Sequence, residues 1–365
     1  DLQFFHGLES WVRVDGPFCY PAPDLELKDY DRIRAKAADY GMQLGADKLD
    51  RFAPLPYVRS GAAKWEAQPF ERATVDGCID GLSEQNIIVR RAAAASLAER
   101  GVDALLAADK LKSLLSDPDV RLVAARALGA IGPEADGSAD ALGVLLDDDD
   151  AYVRMVGALS LGSLGEQSVA SLRKALGDRE AQVISIAGEA LAELGPAVLS
   201  AMPDLIPMID SEVELVRRAA YKVLAGIGPP AAPATTALLS EMARQGGNNS
   251  FIVKALGSIG PAAKAAIPAL EKVRDIKSAS ANANAALFRI RRDKADLDAI
   301  VELLRDPENS SRVWEYAANV LEDLGAEAAP VADDIRAFLK EQGDEFAQKQ
   351  SSTVGQLRQY LDKVK

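Results

Sequence analysis

The chain has 365 residues, 48% of them apolar, with 42 basic against 55 acidic residues and a formal net charge of -13 at pH 7. That excess of acid repels a phosphate backbone and argues against a nucleic-acid partner, and no apolar run approaches the roughly 20 residues that a membrane-crossing helix needs. A single histidine, His6, excludes centres built from several imidazoles, and two cysteines, Cys19 and Cys78, are too few for a disulfide scaffold.

Residues 1–70 form a distinct module holding 11 of the 20 aromatic residues and 6 of the 18 prolines. Within it, DLELKDYDRIRAKAADYGMQL sets Leu27, Tyr30, Ile33 or Arg34, Ala37 and Tyr40 at helical spacing, with Asp24 as N-cap and Gly41 as stop. The flanks are broken by Pro and Gly and read as ordered coil with a minor hairpin. The module is either a cap over the first repeat or the tail of an upstream domain whose Trp11, Phe18 and Tyr20 pack against something else. The chain opens on Asp1 without an initiator Met, so a mature form cut after a targeting segment and a piece of a longer polypeptide are both open. A soluble protein, cytoplasmic or exported, is expected.

From about residue 71 the texture turns to Ala, Leu and Gly with a fixed period. Val89-Arg90, Val120-Arg121, Val153-Arg154 and Val216-Arg217 are each followed, twelve residues after the Val, by Gly101, Gly132, Gly165 and Gly228. Looser copies start at Val183, Asn248, Ala279 and Val313 and end at Gly195, Gly260, Arg291 and Gly325. The spacing of 30 to 34 residues suits a pair of short antiparallel helices. Residues four, eight and eleven after each anchor are small or apolar, as in Ala124, Leu128 and Ile131, and mark one buried helix face. The closing Gly accepts the left-handed conformation that ends a helix, and a following Pro can start the next. The repeats are placed at 71–342, with 343–365, including QSSTVGQLRQYLDKV, as a polar capping helix.

VRLVAARALGAIGPEA and VRRAAYKVLAGIGPPA resemble HEAT repeats of the short, bacterial, phycobilisome-lyase-like type, over residues 71 to about 342. The resemblance implies an all-α, right-handed α-solenoid of about eight to nine helical hairpins, with the second helix of each lining the concave side. It also implies that the arginine after the anchor forms a structural ladder with acids of adjacent repeats, here Arg90, Arg121, Arg154 and Arg217. Three relatives can be weighed. A deoxyhypusine-hydroxylase-like iron enzyme needs several His-Glu pairs, which one His cannot supply. A DNA-glycosylase-like protein needs a basic face, which this acidic chain lacks. A chromophore-lyase-like subunit remains an alternative, although no residue marks a bilin site.

No GxSxG elbow or GxxxxGK[ST] loop is present and no His stands ready to serve a nucleophile, so the chain reads as noncatalytic and without a cofactor. Cys78, in ATVDGCIDGL, is expected to face the core of the first repeat, with a disulfide to Cys19 as the alternative. Charge is uneven: residues 252–294 hold nine Lys or Arg against three acids. Lys254, Lys264, Lys272, Arg274, Arg289, Arg291 and Arg292 are the candidate docking residues for an acidic protein surface or an anionic polymer. The function expected is a scaffold for a protein partner, or an accessory part of a larger, exported enzyme. The four aspartates of LLDDDDAYVR align with LLSDPDVR and MIDSEVELVR, so Asp147 to Asp150 read as the turn between the two helices of a repeat, capping the second.

Overall fold

The computed structural model describes residues 12–15, 18–21, 74–306 and 308–364. Strands β1 (Val12–Asp15) and β2 (Phe18–Pro21) pair antiparallel, Val12 opposite Pro21 and Asp15 opposite Phe18. This is the minor hairpin expected in that flank, within the small N-terminal module that precedes the all-α repeats. The helix expected over 24–41 and the packing of Trp11 lie outside the described residues.

The rest is helical and divides into two compact units, residues 1–175 and 176–365. In unit 1, α1 (Val75–Gly81) and α2 (Ile87–Arg100) form the first hairpin, α3 (Ala108–Ser113) and α4 (Arg121–Ile131) the second, and α5 (Ser138–Gly143) and α6 (Ala151–Gly162) the third; α7 (Val169–Ala175) closes the unit. Unit 2 begins with α8 (Ala181–Glu193). The pairs that follow are α9 (Met202–Met208) with α10 (Glu214–Ile227), α11 (Thr235–Arg244) with α12 (Ser250–Ile259), α13 (Ile267–Arg274) with α14 (Ser280–Arg291), α15 (Lys294–Arg305) with α16 (Ser311–Leu324), and α17 (Ala332–Lys349) with α18 (Ser351–Lys363). The expected boundary between residues 342 and 343 therefore falls inside α17. Within unit 2, α18 packs along α16 as α10, α12, α14 and α16 each pack along the second helix before them.

The periodic apolar positions explain the stacking. Leu97, Leu128, Leu161, Leu191, Leu224, Leu256, Leu287 and Leu321, each eight residues after an anchor, are all at 0% exposure. Deleting such a side chain typically costs about 2–5 kcal/mol, so this single register carries a large share of the packing. Small residues then let neighbouring second helices approach. A Cβ on Gly257 would lie 2.8 Å from Ala286 Cα, and one on Gly226 would fall well inside contact distance of the Ala192 carbonyl.

Helix ends follow the sequence punctuation with one exception. The closing glycines have positive φ, as at Gly132 (89°) and Gly228 (70°), but in the seventh repeat α14 runs through Arg291 and the left-handed residue is Arg292 (58°). Six connectors of the array are short 3-10 turns, and in three of them, Gly195–Ala201, Pro229–Ala234 and Gly260–Ala266, the Pro after the closing Gly lies in the first turn of the connector. The connector after Arg292 is missing altogether. Asp293 immediately caps α15, its Oδ1 accepting from Ala295 N at 3.0 Å.

A candidate binding groove on the second helices

The turns inside the hairpins share one device. Asp117, Asp148, Asp178 and Asp306 each accept, through Oδ1, the backbone N–H two residues on, at 2.8–2.9 Å. Such local side-chain bonds fix a turn without backbone pairing. The arginine after the anchor adds a second tie. Arg90, Arg154 and Arg217 each donate Nη1 to the carbonyls five and six residues upstream, at 2.7–3.1 Å. Arg90 and Arg121 also reach the turn aspartate of the next repeat, Asp117 at 3.2 Å and Asp148 at 2.6 Å.

The acidic run is divided among these tasks. Asp148 makes the turn and meets Arg121, Asp150 caps α6 by accepting from Tyr152 N at 3.0 Å, and Asp147 pairs with Lys174 at 2.5 Å. Among the described residues no cluster of three metal-ligating side chains occurs. Cys78 is a free, fully buried thiol packed in the core of the first hairpin, accepting from Arg100 Nη1 at 3.4 Å; the side chain of Cys19, its alternative partner, lies outside the described residues.

In unit 2 the carboxylate of Glu241 is fully buried and held by Arg244, Gln245, Tyr221 and Arg217. Burial alone would raise its pKa; the hydrogen bonds from Arg244 and Gln245 and the charge of Arg244 outweigh that and hold it below the usual value. Burial, with the adjacent Glu241 charge, pushes the Tyr221 phenol up to about 12. This network locks α10 to α11, with Tyr221 at the edge of a depression.

The open space lies on the exposed face of the second helices. Two depressions meet at Lys254. One, of about 570 Å³, runs along α8, α10 and α12 between Glu189, Glu193, Lys222, Gly226 and Phe251; the other, of about 250 Å³, is bounded by α12, α14 and α16. The second exists for a reason visible in the repeat. Within unit 2, Glu189, Lys222, Lys254 and Asn319 stand six residues after the anchor, but α14 has Ala285 there. Ala285 and Ala286 make a low floor, and Lys254 on α12 reaches past it to Asp323 on α16 at 2.7 Å. Arg289 stands 3.6 Å from the same carboxylate and 3.0 Å from Glu327.

The seven candidate docking residues are thereby separated. Lys254 and Arg289 line the groove. Arg291 is drawn away from it: its Nε lies 2.7 Å from the buried carboxylate of Asp296 and its Nη1 3.1 Å from Glu271, contacts that hold it firmly protonated. Arg291 is thus paired with acids of its own unit, an arrangement that follows from α15 starting directly after α14. Arg292 meets Glu327 at 2.8 Å and stacks over Phe288. Lys264 and Lys272 are exposed and Arg274 half-buried, on α13 and the turn before it; among the described residues they form no ion pair. Sequence reading missed Asn282, Tyr316, Asn319 and Asp323, for which the unusual Ala285 was the available signal.

Comparison with known proteins places the architecture. Residues 108–192 match the family model for HEAT repeats, and the fold is that of helical-repeat solenoids. No curated protein matches the sequence significantly. Among solved structures, the chain is similar to an engineered protein at 21% identity over 90% of this chain and 98% of that one, with a TM-score of 0.48. It is similar to a chain in a homology model of the full-length AP-3 complex at 15% identity, 76% and 56% coverage and a TM-score of 0.50. It is also similar to the complex of CpcE and CpcF of phycocyanin lyase from Nostoc sp. PCC7120 at 23% identity, 69% and 95% coverage and a TM-score of 0.37. No helix among the described residues is long and apolar enough to cross a membrane.

Proposed function

We propose that the chain is a noncatalytic scaffold that holds a protein partner in the second-helix groove of unit 2, taking up an extended segment that carries acidic side chains. The observation that carries this reading is the paired depression centred on Lys254. It is long enough to follow several helices, walled by Lys222, Lys254 and Arg289, and floored by residues too small to fill it. Its titratable groups are tied to one another as ion pairs, Lys222 with Glu189 and Lys254 with Asp323, an arrangement suited to exchanging charged partners.

The test is capture of partners by the immobilised chain, repeated with Lys254→Glu/Arg289→Glu and, as a control from the other candidates, Lys264→Glu/Lys272→Glu. The reading predicts loss of the partner only with the groove variant. Loss only with the control variant would contradict it.

A further inference from the structure

We infer that Asp323 is a built-in competitor for the groove: it occupies Lys254 in the free protein, and a carboxylate from the bound segment takes its place. The inference rests on the proposed protein-binding role. Its ground is an imbalance in hydrogen-bonding capacity around the floor of Ala285 and Ala286. Lys254 offers an ammonium group whose ion-pair partner is Asp323. Asn319 has its Oδ1 taken by Gln356 Nε2, which leaves its own amide N–H groups as donors. Tyr316 accepts from Arg312 Nε through its phenol oxygen at 3.1 Å, which leaves its O–H to donate. Arg289 adds a guanidinium shared between Asp323 and Glu327.

Donors thus converge from α12, α14 and α16 on a space of about 250 Å³, and Asp323 is the acid that lines it. Asp323 is about half exposed and lies two repeats from Lys254, so its pair with Lys254 is a surface contact that solvent and a competing acid can open. A ligand with one carboxylate satisfies the same donors without changing the fold. Lys254 and Arg289 are then released from a weak internal partner to an external one, and the internal carboxylate sets how acidic a segment must be to bind.

The probe is a hexaglutamate amide labelled with fluorescein at its N-terminus, into which the full chain and its variants are titrated at low salt, with binding followed by fluorescence anisotropy. The variants are Lys254→Ala, Asp323→Asn and, to control for loss of one surface charge on the same helix, Glu315→Gln. The expected result is weak binding to the unmodified chain, weaker binding to Lys254→Ala, and binding to Asp323→Asn roughly threefold to fivefold tighter, well beyond the change with Glu315→Gln. If hexaglutamate binds and Lys254→Ala weakens it, but Asp323→Asn gains no more than Glu315→Gln, the competitor role is overturned while the groove reading stands. If neither the unmodified chain nor Asp323→Asn binds hexaglutamate, both fail.

Discussion

Arg121 Nη1 lies 2.6 Å from Asp148 Oδ2, tying the second helix of one hairpin to the turn of the next. Asp148 holds that turn as well, by accepting from Asp150 N at 2.9 Å. Replacing Asp148 by Ala removes both functions and is expected to cost about 1–2 kcal/mol. Asp147, next to it, has only the exposed pair with Lys174, and its replacement should cost less than about 0.5 kcal/mol. Urea unfolding of the two variants distinguishes them; equal losses would mean that the run acts as a block of charge.

Gly226 and Gly355 both stand in helices but meet opposite surroundings. A Cβ at Gly226 would press on the Ala192 carbonyl, whereas one at Gly355 would meet nothing within 4 Å. Gly226→Ala is therefore expected to lose about 1–3 kcal/mol through overpacking. Gly355→Ala should gain about 0.5–1 kcal/mol from helix propensity. Thermal unfolding should move in opposite directions for the two.

Arg292 ends α14 in the left-handed conformation, φ 58° and ψ 32°, at a closure where other repeats place a positive-φ glycine. Arg292→Gly and Arg292→Ala both lose the contacts with Glu327 and Phe288, so their difference isolates the backbone. The glycine variant should be the more stable by about 1 kcal/mol in denaturant unfolding.

Tyr221 has a pKa raised to about 12 by burial and the neighbouring Glu241 carboxylate. A phenol whose folded pKa lies above its unfolded value of about 10 favours folding fully below pH 10; the contribution is lost as pH rises from there through 12. Stability should fall in that alkaline window, and Tyr221→Phe should flatten the fall. Tyr360, raised to about 12 mainly by burial, leaves a residual slope. An unchanged slope in Tyr221→Phe would assign the alkaline loss elsewhere.

What was legible in the sequence was what repeats. The leucine eight residues after each anchor and the closing glycine recur because every hairpin solves the same packing problem, and each lies where the period puts it. The intra-hairpin turn at Asp147 to Asp150 was legible for the same reason, by alignment with its counterparts. The groove was not, because it arises from a departure from the period: Ala285 replaces a long side chain, and only then does Lys254 meet Asp323, 69 residues away. Charge counting grouped Arg291 with Lys254, but composition does not register direction. The missing connector after Arg292 brings Asp296 under Arg291 and turns that cation inward.

The central claim, that a protein partner lies along the second-helix face of unit 2, is tested most directly by lysine-directed cross-linking of the captured complex followed by mass spectrometry. Lys222 and Lys254 line the groove, whereas Lys264 and Lys272 stand on α13 and the turn before it. The account predicts that cross-links to the partner concentrate on Lys222 and Lys254, and that those at Lys222 disappear with Lys254→Glu/Arg289→Glu. Cross-links confined to Lys264 and Lys272, unaffected by that variant, would contradict it.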